Sequence, residues 1–278
     1  MVIDGKKIAL EIRETLRSAI RAFPMSLELD IVVVGKNPVI ENFVGIKKRI
    51  GADLGVRVNE HRFPEVITTM ALREAILNIA QNNESHGLIV QLPLPETIDA
   101  QSILDAVPLS KDVDMLSTKS IAAFACGEAI ILPPVAGAIQ EILERAKVTV
   151  SGKEALVLGH GRLVGIPVSI LLRHNGAHVT VIDKEISDLK IHTLEADIII
   201  SGVGKSGLIR PDMITPHTTL IDAGTSEAGG RIVGDAHPSC KDVAEVFTPV
   251  PGGVGPIAVV MIFKNLCILA RKNAILAQ

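Results

Sequence analysis

Continuous apolar runs alternate along the chain with stretches of helical character, and the alternation occurs twice. In the first half, LELDIVVVG (residues 27–35) reads as a buried strand ending in Gly-Lys-Asn-Pro. A helix over residues 38–54 follows, closed by Gly55. A strand over 56–63, a helix over 69–82 and the strand HGLIVQLPLP (86–95) come next, and the prolines stop that last ladder abruptly. The second half restarts with EALVLG (154–159) and a helix over 165–174 carrying Pro167 in its first turn. Three more apolar strands are predicted at HVTVID (178–183), ADIIISGVG (196–204) and TTLIDAG (218–224). A helix over 137–146 joins the halves, and an apolar helix follows Pro256. Strands without polar alternation, interleaved with helices, predict mostly parallel sheets covered by helices, hence a two-domain α/β protein. The expected division is residues 1–136 plus a returning final helix, 257–278, and residues 137–256 between them.

Composition narrows the chemistry. A chain of 278 residues, 47% hydrophobic and 21% charged, is globular and long enough for two modest domains. Six Phe and no Trp or Tyr imply an aliphatic core and exclude any role that needs a phenol. A net charge of −3 carries no general basic footprint, so nucleic acid is not an expected partner. Cys126, Cys240 and Cys267 are too few and too scattered for a disulfide framework or a zinc knuckle. The opening MVIDGKKIALEIRETLR mixes acids and bases and is not a signal peptide. The apolar stretch 257–270 is cut by Lys264 and Asn265 and reads as too short and too polar to span a bilayer. A cytoplasmic protein without membrane attachment is the expectation.

Candidate chemistry gathers at strand ends. The turn Gly159-His160-Gly161-Arg162-Leu163-Val164-Gly165 lies between a strand and a helix. Glycines there let backbone amides approach a pyrophosphate. Its G-x-G-x-x-x-G spacing is one residue longer than the usual fingerprint, and any tight turn favours glycine. Asp183 closes the next strand, where a carboxylate can bind the adenosine ribose, and Gly202, Gly204 and Gly224 end later strands. In the first half, Phe43 and Lys47 stand four apart on one helix face, a ring able to stack on a flat heterocycle beside an ammonium. Spacing alone favours a core Phe and a solvated Lys47-Lys48-Arg49 run. Gln91 emerges at the end of a buried strand; Asp112 and Asp114 lie in a short Lys-Asp-Val-Asp loop and could equally be turn or cap residues. TPVPGGVGP (248–256) is a preset loop that is bulky nowhere, suited to close backbone approach or to a rigid hinge.

Taken in order, IDGK (3–6), VGKNP (34–38), Lys47, QLPLP (91–95), KDVD (111–114), the glycine turn (159–167) and PVPGGVGP (249–256) form a recognisable series. The series resembles the bifunctional methylenetetrahydrofolate dehydrogenase/methenyltetrahydrofolate cyclohydrolase family over essentially the whole chain. The resemblance implies an N-terminal α/β catalytic domain and a Rossmann-type dinucleotide-binding domain flanking a cleft, with the final helix returning to the first domain. It also implies a homodimer formed through the cofactor domains. It implies oxidation of 5,10-methylenetetrahydrofolate and hydrolysis of the methenyl product to 10-formyltetrahydrofolate. Carried over, Lys47 serves the cyclohydrolase step, Gln91 is its hydrogen-bond partner, and Asp114 holds the pterin edge. Phe43, Pro251, Gly252 and Gly253 would border the folate; Gly159, His160, Gly161, Arg162 and Thr225 would contact the cofactor. The family default is NADP. Asp183 would repel a 2′-phosphate and favours NAD, whereas Arg162 and Lys184 offset that charge. Three departures stand out: Phe43 where the family commonly has Tyr, Pro133-Pro134-Val135 in place of Cys-Thr-Pro, and Ala258 in place of Thr. Each trims polar contacts, which leaves a dehydrogenase without cyclohydrolase activity, or a non-catalytic binding paralogue, as rival readings.

Overall fold

The computed structural model describes residues 1–183, 188–228 and 231–276, and these form two compact units. One comprises Glu11–Pro134 and Ile262–Gln278; the other comprises Met1–Leu10 and Val135–Met261. The sequence pattern assigns the first ten residues to the former, whereas they cluster with the latter. Ile3 N–H donates to Phe247 O at 2.9 Å and Gly5 N–H to Gly252 O at 2.9 Å.

The chain opens with α1 (Gly5–Arg21), an element without counterpart in the sequence reading. Its buried Ile8, Ala9, Leu16 and Ile20 form a helical stripe, diluted in the sequence by charges on the other face. Then come β1 (Glu28–Val34), α2 (Pro38–Leu54), β2 (Arg57–Phe63), α3 (Thr69–Gln81) and β3 (Gly87–Val90). These strands form a parallel sheet in the order β2-β1-β3. The ends of α2 are specified locally. Asn37 caps it by accepting from Val39 and Ile40 N–H, Pro38 pre-sets the first turn, and Gly55 leaves it in the left-handed region at φ +79°. Leu72 and Ile76 of α3 pack with Val32, Val34, Leu88 and Val90 of the sheet. Two short helices, α4 (Ala100–Leu104) and α5 (Thr118–Ala125), complete this stretch, and α6 (Pro134–Arg145) follows.

The second sheet is built from β4 (Glu154–Leu158), α7 (Gly165–His174), β5 (His178–Ile182), α8 (Leu189–Glu195), β6 (Ile198–Ser201) and β7 (Thr219–Asp222). An antiparallel ribbon, β8 (Ser226–Ala228) with β9 (Arg231–Val233), and the two-residue strand β10 (Val246–Phe247) are additions the sequence pattern does not reveal. The order is β10-β7-β6-β4-β5, all parallel. The final helix, α9 (Val254–Leu276), corrects the expectation for this segment. Residues 254–275 are long and apolar enough to cross a membrane, but 61% of the apolar window is buried in the protein, as befits a core helix.

In both sheets the chain leaves the first strand, pairs on one side, then returns to the other side. The reversal falls between β1 and β3 in one unit, and between β4 and β6 in the other. Such switch points are where open α/β sheets bind ligands.

Candidate active site

Lys47, Gln91 and Asp114 lie near one another beside the first sheet. Lys47, on α2, is 7% exposed, and its ammonium donates to Gln91 Oε1 at 2.6 Å. Gln91 follows β3 directly, with its own N–H bonded to Val32 O. Its Nε2 donates to Leu92 O at 2.8 Å, which fixes the orientation of the amide and commits Oε1 to accept from the lysine. Burial pulls the Lys47 ammonium below its ordinary range, opposed by the charge of Asp114. The Asp114 carboxyl is pushed up to about 6 by desolvation, against the favourable charge of Lys47 and with a further push from Asp112. A lysine and a carboxylate brought towards each other's titration range are suited to proton transfer near neutrality. Phe43 lies one turn before Lys47 on the same helix and is half-buried.

The Lys-Asp-Val-Asp segment that delivers Asp114 is fixed residue by residue. Lys111 Nζ caps the end of α3 by donating to Ala80 O and Asn82 O, both at 2.7 Å. Asp112, left open between cap and site by the sequence, is a cap. It accepts from Leu116 and Ser117 N–H and from Ser120 Oγ at 2.6 Å. Val113 is fully buried, and Asp112 bridges to Leu88 of β3 in parallel fashion. Asp114 is half-buried and lies within reach of the charge of Lys47.

In the second unit the glycine turn after β4 has the geometry of a cradle. Gly159 has φ +94°, and a Cβ there would meet Gly202 O at 3.0 Å; one on Gly165 would sit 2.0 Å from Gly159 O. A Cβ on Gly161 would meet nothing within 4 Å among the described residues, which leaves the approach to this backbone uncrowded by them. His160 and Arg162 flank it and are exposed, as is Asp183 just after β5, the strand beside β4. Thr225 lies across from Gly204, whose added Cβ would touch Thr225 O at 3.4 Å. These residues fit a dinucleotide. Lys184 lies outside the described residues.

Two buried carboxylates that the sequence does not single out hold these loops. Asp235 accepts from Ser201 Oγ at 2.6 Å and from the N–H groups of Val203 and Lys205. Asp222 accepts from Gly224 and Ala236 N–H, and its own N–H bonds Thr248 Oγ1. The Asp222 carboxyl is pushed up to about 6, chiefly by burial. The loop after β10 reaches Pro251, Gly252 and Gly253 through a cis Val250–Pro251 bond. Gly5 packs so tightly against it that an added Cβ would lie 1.8 Å from Gly253 O.

Comparison with known proteins bears on both sites. Residues 3–114 match the family model for the tetrahydrofolate dehydrogenase/cyclohydrolase catalytic domain, and residues 133–274 match that for its NAD(P)-binding domain. The chain belongs to the tetrahydrofolate dehydrogenase/cyclohydrolase family. Among relatives of this family, the bifunctional protein FolD of Moorella thermoacetica is 36% identical over 276 residues, covering 98% of this chain and 99% of that protein. The bifunctional FolD dehydrogenase/cyclohydrolase of Campylobacter jejuni superposes with a TM-score of 0.94 at 30% identity, covering 98% of this chain and 99% of that one. The Trypanosoma brucei enzyme, solved with NADP and an inhibitor, gives 0.92 at 31% identity, with coverage of 99% and 98%. Within this family fold, the sequence points to Lys47, Gln91, Asp114 and the glycine turn. Asp222, Asp235 and Asn265 escape it, because most of their partners are distant in the chain.

Proposed function

We propose that the protein oxidises 5,10-methylenetetrahydrofolate with NADP and hydrolyses the methenyl product to 10-formyltetrahydrofolate, as a cytoplasmic homodimer with no nucleic-acid or membrane partner. The observation that carries this is the buried Lys47 ammonium held at 2.6 Å from Gln91 Oε1 near Asp114. Membership of the family, and the NADP carried by the trypanosomal relative, support the substrate and cofactor. The cofactor choice is also compatible with the exposed Arg162 beside the turn.

The pterin lies by Phe43, with Asp114 accepting from its paired N–H edge. The dinucleotide, when bound, supplies the hydride acceptor. Backbone amides of the Gly159–Arg162 turn would hold its phosphates, and Asp235 keeps the neighbouring 203–205 loop in place. The methenyl cation then meets water. As the water oxygen bonds to the methenyl carbon, one proton leaves, and a lysine already disfavoured in its charged state by burial can accept it. The remaining hydroxyl proton passes to N5 as the bond from that carbon to N5 breaks, so the oxygen becomes a carbonyl and the formyl group stays on N10. Gln91 fixes the lysine by accepting a hydrogen bond from its Nζ.

Initial rates with methylenetetrahydrofolate and either NADP or NAD, together with decay of methenyltetrahydrofolate, test the proposal. Wild type is expected to show both reactions, with NADP preferred. Lys47→Arg keeps the charge but cannot release a proton, so hydrolysis should fall by about 10²- to 10⁴-fold while dehydrogenation falls less. Methenyl decay at the spontaneous rate in wild type would remove the second activity. Hydrolysis unaffected by Lys47→Arg would remove Lys47 from it.

A further inference from the structure

Asn265 stands on α9 at 3% exposure, amid the apolar residues Phe263, Leu266 and Cys267. A primary amide in such surroundings is costly unless its hydrogen bonds are met. Its Nδ2 donates twice, to Val113 O at 2.9 Å and to Leu132 O at 2.8 Å. Val113 O belongs to the peptide that joins Val113 to Asp114. Leu132 immediately precedes Pro133-Pro134-Val135, the segment in which this chain departs from the family pattern.

We propose that Asn265 is a positioning residue of the folate site, setting the direction of Asp114 by clamping the peptide that carries it. The neighbours of Asn265 brace the same region. Leu266 and Val113 press together over Gly87 of β3, where an added Cβ would lie 2.7 Å from each. One turn back, Phe263 reaches Gly51, where an added Cβ would come within 3.4 Å of its ring. Gly51 is one helical turn beyond Lys47. One short stretch of α9 therefore touches the elements that carry both Asp114 and Lys47. The sequence itself gives no hint of this, since Asn265 is 152 residues from Val113 and 133 from Leu132. The inference rests on the reading of Asp114 as the residue that holds the pterin edge.

Asn265→Ala, made in wild type and in an Asp114→Asn background, separates positioning from simple core support. In wild type, KM for methylenetetrahydrofolate should rise about tenfold, the scale of two buried hydrogen bonds lost, with KM for NADP within about twofold. In the Asp114→Asn background the same change should cost less than about twofold, because the group it positions is already disabled. Asn265→Ser, which retains a donor, should fall between wild type and Asn265→Ala, and it carries the test if the alanine variant does not melt cooperatively. A tenfold loss that persists in the Asp114→Asn background, or a parallel rise in both KM values, would overturn the proposal. So would an unchanged folate KM in an enzyme that turns over normally. Absence of turnover in wild type would instead sink the functional reading beneath it.

Discussion

At the scale of single residues, the site is a problem of burying charge. Asp114 is desolvated enough that its carboxyl titrates at about 6, yet a pterin edge made of N–H donors requires the ionised form. Folate KM should therefore rise as pH falls through about 6, approaching tenfold per unit below it, and Asp114→Asn should flatten this dependence. At pH 8 the same variant should raise folate KM by about 10- to 100-fold, the range for a hydrogen bond to a charged group. Rates from pH 5 to 8 check this, and a profile retained in Asp114→Asn would assign the titration elsewhere. The sign for stability is opposite. A carboxyl with a raised pKa in the folded state favours folding at low pH, and that contribution is lost as pH rises through about 6. Acid should thus weaken binding through this group without unfolding the protein through it. Asp114 is legible in the sequence because it sits in a short, distinctive string, and Lys47 only through its place in the ordered series of such strings. Asp222 and Asp235 were not. Beyond the bond Asp222 accepts from Gly224, their acceptor roles join residues 14 to 34 apart, and a lone Asp near a glycine is a common turn residue.

At the scale of elements, apolar runs gave the long strands and the capped helices, because both the period and the end signals of α2 and β1 are local. The pattern failed on α1, whose buried stripe is thin, and on β10, too short to show any period. The start of α1 and β10 belong to the same unit. β10 runs beside Met1–Ile3 through bonds from Phe247 N–H to Met1 O and from Ile3 N–H to Phe247 O, and α1 begins at Gly5 against the 252–253 backbone. The IDGK string thus acquires a physical reason: its glycine is the only residue that can start a helix where another backbone passes 1.8 Å from the Cβ position. Gly5→Ala should cost about 1–3 kcal/mol through forced displacement of that loop. Gly45→Ala on α2, where a Cβ meets nothing within 4 Å, should be neutral or stabilising by about 1 kcal/mol. Thermal melts of the two variants make the comparison, and equal midpoints would show that the 252–253 loop yields freely.

At the scale of the whole molecule, neither unit is a continuous piece of chain. The sequence shows where strands restart, near residue 154, but not which unit claims the ends, since that depends on packing partners far away. The first unit is closed by residues from 262 onward. Phe263 and Leu266 are fully buried, Cys267 and Leu269 nearly so, and Leu266 fills the space left by Gly87. Burying such side chains is worth about 1.5–3 kcal/mol each, so four supply about 6–12 kcal/mol, comparable with the whole stability of an ordinary domain. A chain ending at Met261 should therefore lose the fold of residues 11–134 while keeping that of Met1–Leu10 with Val135–Met261. Amide hydrogen exchange distinguishes the two. Protection should disappear from β1 and β3, where Leu29 and Gly87 lose their cover, and persist in β4, β6 and β7, whose strands pair only with one another and with β5 and β10. Protection retained in β1 would mean that the three-stranded sheet stands without the final helix. Asn265 would then lie outside the unit's folding requirements altogether, and its effect on Asp114 would be one of local direction alone.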